Sequence, residues 1–335
     1  MNTSIIKGIG YYLPENIVTN KDLEKIMDTS DEWIQERTGI KERRWVAEDS
    51  DESTSSMGTE AAKRAISDAD ISANDIDFII FATLSPDYFF PGSGVLLQKN
   101  LGIKEVGALD IRNQCSGFIY ALSVADQYIR SGMYKNILIV GSEIHSGALE
   151  KNTRGRGVSV IFGDGAGAVI LQASENTNKG ILSTHLHSEG KHAEELVVIS
   201  PATKKWINEL VEDPNEDGSS YAPYMNGSFV FKNAVIRFME VINEALAANK
   251  LTKEDISLLI PHQANLRISQ FVQKQLALSD DKVYNNIMHY GNTTAASIPI
   301  ALAEAIEKGK VNEGDILCLA AFGSGFTWAS ALIRW

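Results

Sequence analysis

Short apolar runs alternate along the chain with stretches of helical periodicity. The runs Phe78–Ala82, Val106–Ile111, Ile137–Val140, Val158–Phe162, Ile256–Ile260 and Ile316–Ala320 are rich in β-branched residues and carry few alternating polar positions. That pattern predicts strands covered on both faces rather than half-solvated ones. Between them, apolar residues recur at helical spacing over Thr59–Ala69, Gly117–Ser131, Phe231–Ala248, Leu266–Leu276 and Ser297–Glu307. The order predicts a layered α/β fold.

The pattern also repeats. Residues 69–80 read like residues 249–260, 180 positions later, and each half then reaches a polar turn and a helix: Asn113–Gly117 in the first, Gly291–Ser297 in the second. Each half continues to an apolar strand and a glycine turn, Phe162–Gly165 and Phe322–Gly325. We read the chain as two related halves, 1–175 and 176–335, meeting face to face. The stretch from His192 to Tyr224 interrupts the pattern with an acidic, turn-rich insertion, expected as a surface loop or linker.

Composition narrows the class. The 335 residues carry a formal charge of −12, which argues against a general nucleic-acid binder; an acidic partner would need a locally basic patch. Two distant cysteines, Cys115 and Cys318, make no disulfide framework and suit a reducing compartment. The first residues show no secretory signal, and no apolar run reaches the length of a membrane span, so a cytoplasmic protein is expected.

Candidate chemistry sits at the strand ends. Cys115 lies where a strand gives way to a helix, and the N–H groups there are expected to favour its thiolate. Inert burial is the alternative, and it is the reading for Cys318, inside an apolar run. His262 follows the strand ending at Ile260, at the crevice end where α/β proteins bind ligands, although it could equally cap the next helix. Asn292 occupies the matching turn, where asparagine beside glycine is also a routine turn choice. In two pseudo-equivalent halves, Cys115, His262 and Asn292 are expected to converge at one crevice. The glycine-flanked turn at Ser324, with the Cys115 N–H, could supply an oxyanion hole. Phe162–Gly167 lacks the spacing of a nucleotide phosphate loop and reads as a tight turn. His185 and His187, with His192 nearby, lack the further ligands of a metal site.

These residues resemble the β-ketoacyl-ACP synthase III group of the thiolase-like condensing enzymes. The likeness runs from Ile6–Pro14 to Ala331–Trp335. It is most specific at Thr29–Ile34, Arg37–Ile40, Cys115–Phe118, Phe162–Gly167, His262–Arg267, Tyr290–Thr293 and Phe322–Trp328. The resemblance implies a five-layered αβαβα thiolase fold, a homodimer, acyl-CoA and malonyl-acyl carrier protein as substrates, and no bound cofactor. It implies that Cys115 takes the acyl group, that the Cys115 and Ser324 N–H groups form the oxyanion hole, and that His262 and Asn292 stabilise the enolate left by decarboxylation. It further implies CoA contacts at Trp33, Arg37, Arg156 and Asn265. Phe90 resembles the residue that closes the partner's acyl pocket, and Lys232, Arg267 and Lys274 match a carrier-protein docking surface. Independently, Arg267 and Lys274 are seven apart and share a helix face.

Two departures stand out. Ser324 replaces a glycine common in the group, and the 193–224 insertion makes the chain longer than compact members, which suggests a primer longer or less usual than acetyl. Rival readings are a related enzyme joining two acyl-CoAs or serving secondary metabolism, a Cys-His hydrolase or acyltransferase, and a non-catalytic carrier-binding protein. Phe89 and Phe90, where a partner-donated carboxylate base would be expected, argue against the first.

Overall fold

The structure of the protein, a computed structural model, describes residues 2–201 and 219–335. The first half supplies β1 (Thr3–Tyr12), a small hairpin of β2 (Ile17–Thr19) and β3 (Glu42–Arg44), then β4 (Phe78–Ala82), β5 (Gly107–Ile111), β6 (Asn136–Glu143) and β7 (Gly165–Ser174). The second supplies β8 (Gly180–Ser188), the short pair β9 (Leu196–Val197) and β10 (Tyr224–Met225), β11 (Leu258–Pro261), β12 (Ile316–Gly323) and β13 (Thr327–Arg334). The helices of eight residues or more among the described residues are α1 (Asp31–Thr38), α2 (Thr54–Asp68), α3 (Ser93–Leu101), α4 (Gly117–Arg130), α5 (Gly227–Ala248), α6 (Leu266–Leu276) and α7 (Ser297–Glu307).

One sheet has the order β1-β7-β6-β4-β5 and the other β11-β12-β13-β8. Read from β8, the second sheet repeats the first. β8 and β13 pair antiparallel as β1 and β7 do, β12 and β13 as β6 and β7 do, and β11 lies parallel to β12 as β4 lies to β6. Even the fifth position is echoed, by a single parallel bridge from Leu259 to Val283 where the first sheet carries β5. The repeat reaches side-chain detail. The 3₁₀ turns Ala73–Asp75 and Lys253–Asp255, which lead into β4 and β11, each close with a capping box, Ser72 with Asp75 and Thr252 with Asp255.

The layers follow from which helices are apolar all round. Helices α4 and α7 lie between the two sheets; α7 is buried from Ser297 to Ala305, as a helix without a polar face must be. Helices α2 and α3 cover the outer face of the first sheet, and α5 and α6 that of the second. This is the five-layered thiolase-like arrangement. The central core runs through both sheets, from Ile80 and Val169 to Leu319 and Ala331. Cys318 is fully buried in β12, as expected from its apolar run.

The run Val158–Phe162 is not the strand its composition predicts. Arg156–Ser159 forms one helical turn, and Phe162 takes part in an isolated β-bridge, to Asn292, and in no ladder. Among the described residues no strand lies beside this run to complete a ladder, and Val160, Ile161 and Phe162 instead pack with Ile34, Ile40 and Trp45 in a separate cluster. Tertiary surroundings override β-propensity here. Helices α2 and α5 also begin earlier than expected, because Ser53 and Asn226 cap them upstream of the apolar pattern.

Close approach of β6 to the turn before α7 sets the seam between the halves. A Cβ at Gly141 would stand 2.5 Å from the Ala295 carbonyl oxygen and 2.8 Å from its carbon, both backbone atoms. Gly141→Ala should therefore lower stability by about 1–3 kcal/mol, read from the urea midpoint. Gly147→Ala, at an exposed glycine with nothing within 4 Å of the added carbon, should leave it nearly unchanged. Equal midpoints for the two variants would contradict this account of the seam.

Candidate active site

Cys115 sits in the 3₁₀ turn Gln114–Ser116 that joins β5 to α4. The residue before it, Gln114, has φ +44°, a left-handed conformation that costs a side chain energy and sharpens the turn. The matching turn of the second half, Thr294–Ala296 before α7, has Thr294 at φ +50°. The two strained turns face each other across the seam, where a Cβ at Gly117 would lie 3.6 Å from that of Ala295.

The turn between β12 and β13 closes over the thiol. A Cβ at Gly323 would stand 2.7 Å from the Cys115 Cβ, so only glycine allows the backbone this close. The N–H groups of Cys115 itself and of Ser324 both reach the sulfur. The Ser324 hydroxyl points away from the thiol and donates to the Leu196 carbonyl at 2.5 Å, fastening β9 to this turn.

His262 follows β11 directly and is 3% exposed. Its Nδ1 lies 2.7 Å from Ser297 Oγ, at the start of α7, while Nε2 is buried without a partner among the described residues. The Ser297 oxygen also accepts the Gln263 N–H at 3.4 Å; a Ser297 proton given to Nδ1 would leave the imidazole proton on Nε2. Asn292 is held by its backbone: its N–H donates to Ile161 O (2.9 Å) and its carbonyl accepts from Gly163 N–H (3.1 Å). Its side-chain oxygen accepts the Thr294 N–H at 2.8 Å, so the amide NH₂ is the end left for another group.

Cys115, His262 and Asn292 line one cavity of about 860 Å³, as the repeat predicts. The expected thiolate is not what this burial produces. Desolvation pushes the Cys115 thiol up to about 12, and the buried Glu143 carboxyl adds to the rise, outweighing the two N–H donors. Desolvation likewise holds His262 down at about 3, with the imidazole of His145 lowering it further. Glu143 is itself raised to about 7 by burial, against hydrogen bonds from Ser85, Leu84 and Thr83. The resting site pairs a neutral thiol with a neutral imidazole.

The cavity mouth is built by Trp33, Arg37, Asn265 and Arg267. The Arg37 and Arg156 guanidiniums both lie over the Trp33 ring, 4.8 and 5.0 Å from its centre. Arg156 also donates to the Asp28 carbonyl. Asn265 caps α6 and donates to the Arg37 carbonyl at 2.9 Å, tying the two sides of the mouth together. Arg267 and Lys274 are exposed on α6 with the half-exposed Phe271 between them, and Lys232 is exposed on the adjacent α5, next to Phe231, over whose ring Arg267 lies at 5.7 Å. Phe90 stands outside this cavity, 81% exposed beside Phe89 and Tyr88.

Sequence reasoning missed several wall residues. Leu196, Tyr224 and Met225 line the cavity, and pairing of Leu196 with Met225 makes the ends of the insertion part of the site; residues 202–218 of the insertion lie outside the described residues. Asp164, inside the glycine-rich turn, is a buried hub that accepts from Val46, His145 and Ser146 N–H groups and the Ser146 hydroxyl. Its only signal is an acid between glycines in an apolar setting. His185 and His187 do share a strand face, but both turn to Glu244, at 3.3 and 2.6 Å. His192 packs against Phe229 and Phe326. Among the described residues no helix is long and apolar enough to cross a membrane.

Two family models match the chain: 3-oxoacyl-[acyl-carrier-protein] synthase III over residues 109–190, and the C-terminal model of the same synthase over residues 246–335. The β-ketoacyl-[acyl-carrier-protein] synthase III of Pasteurella multocida is 48% identical over 331 residues, and that of Rhodospirillum centenum 45% identical over 336, each covering 99% of both chains. The length of the chain therefore sets it apart from neither. The crystal structure of the Aquifex aeolicus 3-oxoacyl-[acyl-carrier-protein] synthase III superposes with a TM-score of 0.90 at 45% identity, covering 99% of this chain and all of that one. Full-length likeness at this level does not favour the rival enzyme that joins two acyl-CoAs. The chain belongs to the β-ketoacyl-[acyl-carrier-protein] synthase III family of condensing acyltransferases.

Proposed function

We propose that this chain condenses an acyl-CoA primer with malonyl-acyl carrier protein, using Cys115 as nucleophile and His262 with Asn292 as neutral donors. The observation that carries this reading is the meeting of these three side chains in one buried cavity, with two N–H groups on the sulfur. In the first half-reaction the Cys115 sulfur attacks the thioester carbonyl, and the oxygen becomes an oxyanion held by the Cys115 and Ser324 N–H groups. CoA leaves as its thiol, taking up the proton that Cys115 gives up.

In the second half-reaction the malonyl thioester loses CO₂, and its carbonyl oxygen becomes an enolate facing His262 Nε2–H and the Asn292 amide. Neutral donors suit this step. A cationic imidazole would hold the malonyl carboxylate in the ground state, whereas uncharged donors gain most when charge reaches the thioester oxygen. The enolate carbon then attacks the acyl-cysteine, and Cys115 departs as a thiolate that takes up a proton.

At the mouth, a purine stacked on Trp33 would sit beside the Arg37 and Arg156 guanidiniums, which suits the phosphorylated nucleotide of CoA. Lys232, Arg267 and Lys274 form the basic rim for an acidic carrier on a chain of net charge −12. The exposed aromatic trio ending at Phe90 would be covered by a second copy of the chain, making a cytoplasmic homodimer whose halves, 1–175 and 176–335, bring nucleophile and donors together.

Intact-mass spectrometry with a panel of acyl-CoAs should show one acyl adduct, absent from Cys115→Ser. The best-loaded chain names the primer, and strong preference for acetyl would overturn the expectation of a longer one. His262→Ala and Asn292→Ala should still acylate but lose malonyl decarboxylation by about 10²-fold or more; normal decarboxylation in both would refute the donor pair. The pH dependence of Cys115 alkylation checks the charge state. With the thiol near 12 and His262 near 3, the rate should climb steadily above pH 8, whereas a plateau below pH 8 would reveal a thiolate–imidazolium pair.

A further inference from the structure

His145 belongs to no part of the proposed chemistry, yet it is 7% exposed beside the donors that do. Its place is set from two sides. Its backbone N–H donates to Asp164 at 2.7 Å, and its ring packs on Phe162 with centres 4.6 Å apart. The free end of the ring then meets the second strained turn: Nε2 lies 2.7 Å from the Thr294 hydroxyl, where Thr294 is 1% exposed and left-handed at φ +50°. A β-branched residue rarely adopts that conformation, so something must hold it there. Thr294 in turn donates its N–H to Asn292 Oδ1 at 2.8 Å, which is the bond that orients the Asn292 amide.

We infer that His145 is a positioning residue for the condensing half-reaction: through the Thr294 hydroxyl it fixes the turn whose N–H aims the Asn292 amide at the enolate oxygen. The contacts form one chain, Asp164 to His145 to Thr294 to Asn292, and Phe162 closes it, since its backbone bridges to Asn292 while its ring backs the imidazole. Burial keeps His145 neutral, with its ordinary value lowered to about 3, so the imidazole serves as a fixed hydrogen-bonding group and adds no charge beside the malonyl carboxylate. The acylation machinery lies on the other strained turn and on the β12–β13 turn, so it does not depend on this chain of contacts. The inference rests on the role proposed for Asn292.

The test separates the half-reactions in the full-length protein. Acyl-enzyme formation is followed by quenched intact mass, and decarboxylation by CO₂ release from malonyl-acyl carrier protein. His145→Ala should acylate within about twofold of the wild type and lose decarboxylation about tenfold or more, since small misplacement of a reacting group is enough for that. His145→Gln, which keeps a side-chain nitrogen to meet the hydroxyl, should recover most of the loss. Thr294→Val removes only the hydroxyl and should reproduce the defect if His145→Ala does not yield folded protein. In an Asn292→Ala background, His145→Ala should cost nothing further. Equal losses in both half-reactions, additive losses with Asn292→Ala, or full decarboxylation by His145→Ala would each overturn the inference. Unimpaired decarboxylation by Asn292→Ala itself would instead overturn the role proposed for Asn292.

Discussion

Removal of the reactive groups from water is the constraint on which the site depends. Cys115, His145, His262 and Asn292 are all at least nine-tenths buried, and among the described residues no cation stands beside the sulfur to offset the loss of hydration. Each titratable member therefore rests uncharged: the thiol keeps its proton and both imidazoles lack their second one. Any charge that develops in such surroundings must be met by dipoles already in place. The oriented N–H groups, the Ser297 hydroxyl on His262 and the backbone clamps on Asn292 answer that demand. They explain why so much of the seam is built from hydrogen bonds with no leeway.

Duplication supplies the scaffold for those dipoles. Both halves use the same device, a strained 3₁₀ turn that opens a helix buried between the sheets; β5 leads into the first turn, and the short helix Ile287–Tyr290 precedes the second. In one half the turn presents the Cys115 thiol; in the other its N–H meets the Asn292 side chain, and it begins the helix whose first hydroxyl meets His262. A single backbone solution, used twice and placed face to face, thus presents two different sets of groups. Tightly packed glycines at positions 141 and 323 let the turns approach, and the Ser324 hydroxyl carries the connection outward to the wall formed by β9.

Much of this architecture was legible in the residues. Helices α6 and α7 match their apolar periodicity to the residue, and the paired capping boxes at Ser72 and Thr252 are the physical content of the repeat seen in the sequence. The Val158–Phe162 run misled because β-propensity reports a fit to a pleated surface, and no such surface is offered there. The thiolate expectation failed for a related reason: the helix start is visible in sequence, but the depth at which the turn is buried is not. Contacts such as His145 with Thr294, or Arg156 over Trp33, join residues far apart in the chain. Only the fold brings them together.

The hydrogen bond from the Ser116 hydroxyl to the Thr327 carbonyl spans 211 positions of the chain, and the Ser324 N–H reaches the neighbouring sulfur over a similar distance. During synthesis Cys115 emerges long before the segment that completes its surroundings. A first half folding ahead of the second would hold Cys115 on a turn with no lid and no opposing helix. Assembly at such sequence separation is slow, since long loops must close before the contacts can form. On the role proposed for Cys115, reactivity toward thioesters would wait until the last strands have docked, so that chemistry and finished fold would arrive in the same event.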